Sequence, residues 1–259
     1  MIRVGVLFLL LLVLPARAEP VDLQLILAVD ASESVSGERF ELQMHGYAAA
    51  FRDPAVLDAI GKGVRGRIAI AMVQWTGPKM HAPVFDWMEV HDTASAAALA
   101  AAIDAAPRHL NWGGTSISGA VLYALEWFDR SPMPGARRVI DISGDGANNS
   151  GRPIAEVRDE AVAAGVTING LPILWVEPGL AEHYRDEVIG GHGAFMISID
   201  DYEGFAEAIQ RKLVSEIAGI IPSRFAAREL ASSLLCPLDQ SDSVRQCARA
   251  RSLPPPPVR

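Results

Sequence analysis

Three short polar clusters contain residue types that can hold a hard metal ion. The first, within DASES, follows at once on an apolar run and places Asp30, Ser32 and Ser34 at alternate positions. The second contains Thr115 within GGTSIS, and the third contains Asp145 within SGDGANN. Carboxylate and hydroxyl oxygens suit Mg²⁺ or Mn²⁺ before Ca²⁺, in roughly six-fold geometry with some waters retained. The residue types therefore predict a Mg²⁺ or Mn²⁺ site.

The predicted site carries little charge of its own. Only Asp30 and Asp145 are acidic, so we expect the ion to keep excess positive charge, and an acidic group from another molecule could complete its coordination. Each cluster also has a plainer interpretation, because an Asp after a strand often caps a helix and Ser, Thr and Gly are common in turns. The occurrence of all three clusters together favours the metal site.

Apolar runs that alternate with helical periodicity predict the elements that position these clusters. Strands alternating with helices indicate a doubly wound α/β fold, an open and mostly parallel sheet with helices on both faces. The turn GPK predicts one antiparallel edge strand. In such sheets binding residues lie beyond the carboxyl ends of the strands, where all three clusters fall. The predicted strands cover 23–29, 67–76, 81–90, 136–143, 166–176 and 193–199, and the predicted helices 40–51, 94–105 (capped by Thr93), 116–129, 153–164 (starting at Pro153) and 202–218.

The three clusters resemble the metal-ion-dependent adhesion site (MIDAS) of von Willebrand factor type A (VWA) domains. The family pattern Asp-x-Ser-x-Ser matches Asp30, Ser32 and Ser34, its loop threonine matches Thr115, and its Asp-Gly pair matches Asp145 and the glycine after it. The run AIAMVQWTG is similar to the second strand of that family, and the resemblance covers about residues 20–220. It implies a Rossmann-like VWA fold and a site that binds the acidic group of a protein partner.

A narrower resemblance is to the bacterial DUF1194 family, whose members carry a signal peptide. It rests on FRDPAVLDAI, RRVIDISGDGANNSGRP and VTINGLPI. This resemblance implies the VWA fold and a metal site, and it implies no known activity. The chain departs from the commoner VWA pattern at Gly144, where Thr is usual, so this position brings no hydroxyl to the site.

Four residues are candidates for a partner-binding rim around the ion. Trp112 lies close to Thr115 in sequence, Glu33 lies inside the first cluster, and Asn148 and Asn149 follow the third. An exposed aromatic side chain at the edge of a site can anchor a partner. The tryptophans predicted to serve the core are Trp75, Trp87 and Trp175.

The leading hypothesis is a metal-dependent protein-binding module without catalytic activity. A metal-dependent hydrolase could use the same ion to activate water. That chemistry also needs a positioned general base, and Glu33 is the only nearby candidate in sequence. A third alternative is an ion that serves only to neutralise Asp30 and Asp145.

The two ends of the chain differ from its centre. Residues 1–18 combine an early Arg3, a short apolar run and an Ala-x-Ala pattern, which predicts a cleaved signal peptide and a periplasmic or secreted protein. We expect no stable membrane span after cleavage. Residues 19–221 form the predicted VWA-like domain, and 222–259 an extension with a Pro-rich tail. In an oxidising compartment Cys236 and Cys247 would form a disulfide.

The charge of the chain argues against nucleic acid as a partner. Removal of residues 1–18 would leave 21 basic and 31 acidic residues, a formal charge of about −10. An acidic protein without a basic cluster is poorly suited to nucleic acid or to an anionic membrane surface. Metal ions are better matched to this charge.

Overall fold

The computed structural model describes residues 19–220. The predicted signal peptide, the Pro-rich tail and the predicted Cys236–Cys247 disulfide lie outside the described residues and stay predictions. Within residues 19–220, no helix combines the length and the apolar character that crossing a bilayer requires.

A five-stranded sheet forms the centre of the fold. Its strand order is β3-β2-β1-β4-β5, and all neighbouring strands are parallel except the pair β2–β3. This arrangement confirms the predicted doubly wound sheet with one antiparallel edge strand. The strands are β1 (Val21–Asp30), β2 (Ile68–Trp75), β3 (His81–Val90), β4 (Gly135–Gly144) and β5 (Val166–Pro172).

Helices cover both faces of the sheet. On one face, α1, α2, α3 and α7 enclose one apolar cluster, and on the other face α4, α5 and α6 with the π-helical turn that follows it enclose a second cluster. The helices are α1 (Gly37–Arg52), α2 (Pro54–Gly61), α3 (Thr93–Asp104), α4 (Ile117–Phe128), α5 (Ile154–Ala163), α6 (Leu180–His183), the π-helical turn Tyr184–Val188, and α7 (Phe205–Ala218).

The central strand β1 explains why an apolar run ends in a carboxylate. Alternate residues point to opposite faces of a sheet, and both faces of β1 lie under helices. Leu25 and Leu27 belong to one apolar cluster, whereas Ile26 and Ala28 belong to the other. The run from Leu25 to Val29 is therefore apolar at every position, and Asp30 follows it at the carboxyl end of the strand.

The predicted sixth strand, 193–199, is not a regular strand. The segment pairs with β5 and the residue after it through isolated parallel bridges, Gly170 with Met196 and Ile173 with Ile199. A continuous ladder would need the backbone N–H of Pro172, which proline lacks. The prediction that β5 continues to residue 176 is also wrong, because β5 ends at Pro172.

Three further differences concern local signals. Pro54 ends α1 as expected, but it also begins a further helix that was not expected, α2, with Asp53 as the N-cap. Asp92 caps α3, so Thr93 is the first helical residue rather than the cap. Pro153 occupies the cap position of α5. The predicted starts of α3 and α5 thus differ from the observed ones by one residue, whereas α2 is an additional helix.

A buried ionic cluster joins α7 to β4. The ammonium of Lys212 lies 2.6 Å from Asp141 Oδ1 and 2.5 Å from Glu216 Oε1, and the side chains of Lys212 and both acids are fully buried. The amide of Asn169 donates to Glu216 Oε1 at 2.8 Å. Burial and the charge of Asp141 raise the pKa of Glu216 to about 7. Two acids therefore share one internal cation.

We expect Lys212→Met to destabilise the protein by about 3–5 kcal/mol, because it leaves two buried carboxylates without their cation. The free energy of unfolding from urea denaturation at pH 7.5 measures the change. Lys62→Met is the control, since Lys62 pairs with Asp58 on the exposed surface of α2. Equal effects of the two substitutions would contradict the role assigned to the buried cluster.

Candidate metal centre

The loop after β1 brings the first cluster to the edge of the sheet. Asp30 is the last residue of β1 and is fully buried. Its Oδ1 accepts a hydrogen bond from the backbone N–H of Ser32 at 2.7 Å, which turns the chain sharply after the strand. The hydroxyls of Ser32 and Ser34 lie 3.2 Å apart on the same side of this loop. The alternate spacing in the sequence thus gives one group of oxygens.

The loop after β4 joins the same group. Ser34 Oγ donates to Asp145 Oδ1 at 2.5 Å, and Asp145 is fully buried. The other carboxylate oxygen, Oδ2, accepts a hydrogen bond from the hydroxyl of Tyr202 at 2.9 Å. The first and third clusters, which are far apart in sequence, therefore meet directly.

Thr115 lies on the adjoining loop, immediately before α4. Its backbone N–H donates to Asn149 Oδ1 at 2.9 Å, and its carbonyl accepts from the Asn149 N–H at 2.9 Å. A β-carbon placed on Gly146 would be 3.1 Å from Thr115 Oγ1, so the hydroxyl lies against the Asp-Gly turn. The second cluster is thus fixed beside the third by backbone contacts.

The electrostatics of Asp30 are unfavourable without a cation. Burial, aided by the nearby charge of Asp145, raises the pKa of Asp30 from 3.8 to about 7 despite the hydrogen bonds from Ser32. Its Oδ2 is buried and has no hydrogen-bond partner among the described residues. Buried polar atoms are nearly always partnered, so an orphaned carboxylate oxygen beside a second carboxylate fits a metal ion.

A second pair of buried acids in the same core differs from Asp30 and Asp145 in having a cation. The buried acids Asp141 and Glu216 share the ammonium of Lys212. In residues 19–220 no basic side chain forms an ion pair with Asp30 or Asp145. No group of three or more His, Cys, Asp or Glu side chains in that range could hold a metal, so the oxygens of the serines and Thr115 would have to complete the ligand set.

Gly144 is required by the packing around Asp30. A β-carbon at this position would lie 2.8 Å from Asp30 Oδ2 and 3.2 Å from the hydroxyl oxygen of Tyr184. The space that a Thr side chain would fill is thus occupied by the carboxylate and by the phenol. The departure from the commoner VWA pattern has a steric reason in this chain.

The rim residues predicted from sequence differ in their surroundings. Trp112 is 64% exposed, and Glu33 is exposed with its N–H bound to the Gly113 carbonyl at 3.3 Å. The side-chain oxygen of Asn148 accepts from the Ser118 N–H at 2.9 Å, so this amide holds a loop. The Asn149 side chain similarly holds the Thr115 loop. Their role in binding a partner stays a prediction.

Trp175 was predicted for the core, and this prediction is wrong. The side chain is 55% exposed, because β5 ends before it and the chain turns to the surface. The guanidinium of Arg39 lies 4.9 Å from the centre of its ring, and Arg39 Nη1 donates to the Ser34 carbonyl at 3.1 Å. Trp175 is therefore a further aromatic side chain beside the first cluster.

Two tyrosines that no sequence pattern indicates approach the aspartates. Tyr202 precedes α7 and contacts Asp145, while Tyr184 lies in the π-helical turn and approaches Asp30. Neither residue belongs to a motif or lies near the clusters in sequence, so only the packing of the chain reveals them.

The geometry defines the class of the protein as a VWA-type fold, which solved structures share. Proximal thread matrix protein 1 from the mussel byssus, with a zinc-occupied MIDAS motif, matches with 17% identity and a TM-score of 0.55, over 77% of this chain and 46% of that chain. A von Willebrand factor type A protein from Catenulispora acidiphila matches with 20% identity and a TM-score of 0.54, over 77% and 43%. The vWF domain of a type V pili tip protein from Porphyromonas gingivalis matches with 13% identity and a TM-score of 0.53, over 78% and 97%. The chain spans under half of the first two proteins, and these identities show the fold alone.

A family match identifies the chain more narrowly. The model described as "protein of unknown function (DUF1194)" matches residues 20–221, so the chain belongs to this family. The predicted VWA fold and the predicted DUF1194 family are thereby confirmed. No curated protein matches the sequence.

The raised pKa of Asp30 predicts a pH-dependent stability in the absence of metal. Between its ordinary value of 3.8 and about 7, the folded state holds a proton that the unfolded state has lost, so stability falls as pH rises through this range. With chelator present, we expect the free energy of unfolding to fall by up to about 4 kcal/mol from this group between pH 4 and pH 8.

Urea denaturation in EDTA across this pH range measures the effect. Asp30→Asn should reduce the slope without abolishing it, because Glu216, whose pKa is also raised to about 7, contributes with the same sign. Glu216→Gln should remove the part of the pH-dependent slope that remains in Asp30→Asn. A slope in Asp30→Asn equal to that of the wild type would show that Asp30 titrates at its ordinary pKa.

Proposed function

We propose that the protein is an exported, metal-dependent protein-binding module, whose ion accepts an acidic group from a partner. The observation that carries the proposal is the orphaned, buried Asp30 Oδ2 beside a second buried carboxylate, Asp145, with no internal cation among the described residues. A dication from solvent supplies the charge that Lys212 supplies to the other buried acids. Asp30, Ser32, Ser34, Thr115 and Asp145 hold the ion directly or through water.

The chemistry of these groups supports Mg²⁺ or Mn²⁺. All five offer oxygen, and hard cations prefer oxygen ligands in six-fold geometry with retained waters. Three of the five are neutral hydroxyls, which leaves the ion able to accept a further anionic ligand. The zinc-occupied MIDAS motif of the mussel byssus protein supports a divalent ion at this position of the fold.

Two arginines beside the first cluster support an acidic partner. Arg39 donates to the Ser34 carbonyl, and Arg108 Nη2 donates to the Ala31 carbonyl at 3.0 Å. Within the described part of the chain neither guanidinium forms an ion pair with a carboxylate. Arg108 also interacts electrostatically with the nearby charge of Asp30. The positive charge of the two guanidinium groups beside the loop would complement an acidic group.

The surroundings of the ion support a protein as that partner. Trp112 and Trp175 are exposed on loops next to the first cluster, and large aromatic side chains are enriched where proteins bind one another. The type V pili tip protein shares the fold, which agrees with an extracellular binding role. The pattern of residues 1–18 supports export to the periplasm or beyond the cell.

We expect the purified protein to melt about 5–10 °C higher in Mn²⁺ or Mg²⁺ at 100 times the dissociation constant than in EDTA, because such a ligand adds about 2.7 kcal/mol to the folded state. Asp30→Ala and Asp145→Ala should abolish this shift and leave a folded protein. Calorimetric titration with each ion measures binding independently.

The matched control is Asp58→Ala, which removes an exposed carboxylate paired only with Lys62. It should bind metal as the wild type does. A wild type without a metal-dependent shift or calorimetric binding would refute the metal site.

Partner binding should depend on the same ion. With the purified protein immobilised, we expect a partner from the native envelope fraction or culture medium to be retained in Mn²⁺ and released by EDTA, and Asp145→Ala should retain none. Retention that survives EDTA would contradict metal-dependent binding. Metal-dependent turnover of ester or phosphate substrates would instead identify the protein as a metal-dependent hydrolase.

A further inference from the structure

Tyr184 has a buried hydroxyl whose hydrogen bond is missing. The residue begins the π-helical turn after α6 and is fully buried in the apolar cluster under β4 and β5. Its hydroxyl has no hydrogen-bond partner among the described residues. Buried phenols usually find a partner, and an exception needs a physical explanation.

Two glycines on neighbouring strands make room for this ring. A β-carbon on Gly170 of β5 would lie 2.5 Å from Cδ1 of Tyr184, and one on Gly144 of β4 would lie 3.2 Å from its hydroxyl oxygen. Any side chain at either position would displace the phenol. The ring therefore lies across the two strands with its hydroxyl directed to the carboxyl end of β4.

The hydroxyl lies near a second buried oxygen without a hydrogen-bond partner, Asp30 Oδ2. The same β-carbon position on Gly144 is 2.8 Å from Asp30 Oδ2, so this oxygen and the Tyr184 hydroxyl are at most about 6 Å apart. Both atoms are buried and both lack a hydrogen-bond partner among residues 19–220. One is a donor and the other is an acceptor.

The protonation of the phenol suits it to donate. Burial and the nearby charges of Asp30 and Asp145 raise the pKa of Tyr184 well above its ordinary value, so the hydroxyl stays neutral. Tyr202 already makes the corresponding hydrogen bond to the other aspartate, because its hydroxyl donates to Asp145 Oδ2 at 2.9 Å.

We propose that Tyr184 is a positioning residue of the metal centre, whose hydroxyl donates to the Asp30 carboxylate when the ion is bound. This inference rests on the proposed metal site. Tyr184 and Tyr202 then hold one aspartate each, and they fix the orientation in which the carboxylates face the ion. The phenol supplies the hydroxyl that Gly144 cannot carry.

The test compares Mn²⁺ binding by Tyr184→Phe, Tyr202→Phe and Tyr47→Phe, using Mn²⁺ alone as the probe. Loss of a hydrogen bond to a metal ligand typically weakens metal binding 10–100-fold, and we expect this for Tyr184→Phe and Tyr202→Phe by calorimetric titration. Tyr47→Phe is the matched control, because Tyr47 is equally buried but its hydroxyl contacts Ser143, at 3.4 Å, and neither aspartate. It should bind Mn²⁺ as the wild type does.

Melting in EDTA separates positioning from a structural role. Without metal, Tyr184→Phe should melt at or above the wild-type temperature, because it removes a buried hydroxyl that has no partner. A variant that is weaker in Mn²⁺ binding and no less stable in EDTA supports the inference. A Tyr184→Phe protein that unfolds, or that melts lower in EDTA, would assign the hydroxyl a structural role and overturn it.

The outcomes also distinguish the two proposals. If the wild type binds Mn²⁺ and Tyr184→Phe binds it with the same affinity, the inference fails and the metal-binding function stands. If the wild type binds no Mn²⁺, the proposed function fails first, and the positioning role is lost with it.

Discussion

Two buried carboxylates that approach each other at one edge of the sheet are the constraint around which this structure is organised. Asp30 and Asp145 are both withdrawn from water, and the desolvation of Asp30 is large enough to raise its pKa to about 7. Hydrogen bonds from Ser32, Ser34 and Tyr202 satisfy three of the four carboxylate oxygens. The fourth, Asp30 Oδ2, is left for a cation or a donor.

The same core shows two ways of accommodating paired acids. At Asp141 and Glu216 the chain supplies its own lysine, fully buried between them, and the cluster joins α7 to the sheet. At Asp30 and Asp145 no such cation is present in residues 19–220. An internal lysine gives a permanent structural link, whereas a pair of acids that took its cation from solvent could gain or lose that charge. This contrast distinguishes a structural cluster from a candidate binding centre.

The parallel sheet explains why the acid pair without a lysine, Asp30 and Asp145, lies at the carboxyl end of the strands. Parallel strands end together at one edge, so β1 and β4 deliver their terminal acids to the same place. Gly144 and Gly170 leave room for the ring of Tyr184 to cross β4 and β5, so that its hydroxyl approaches Asp30 from within the core. The loops above carry exposed tryptophans, which face solvent where a partner would approach.

The sequence by itself determined the layered fold and the three clusters. The apolar run of β1, alternating strands and helices, and polar residues at strand ends are local patterns, and they suffice because parallel strands fix where their ends meet. Tertiary structure alone decided that Tyr184 and Tyr202 reach the aspartates, that Trp175 is exposed, and that Lys212 lies between two acids. These depend on which side chains share a volume, and a sequence pattern does not encode that for residues distant along the chain. The expected sixth strand is interrupted because Pro172 has no N–H to donate to the neighbouring segment. This effect also depends on the tertiary structure, which places that segment beside Pro172.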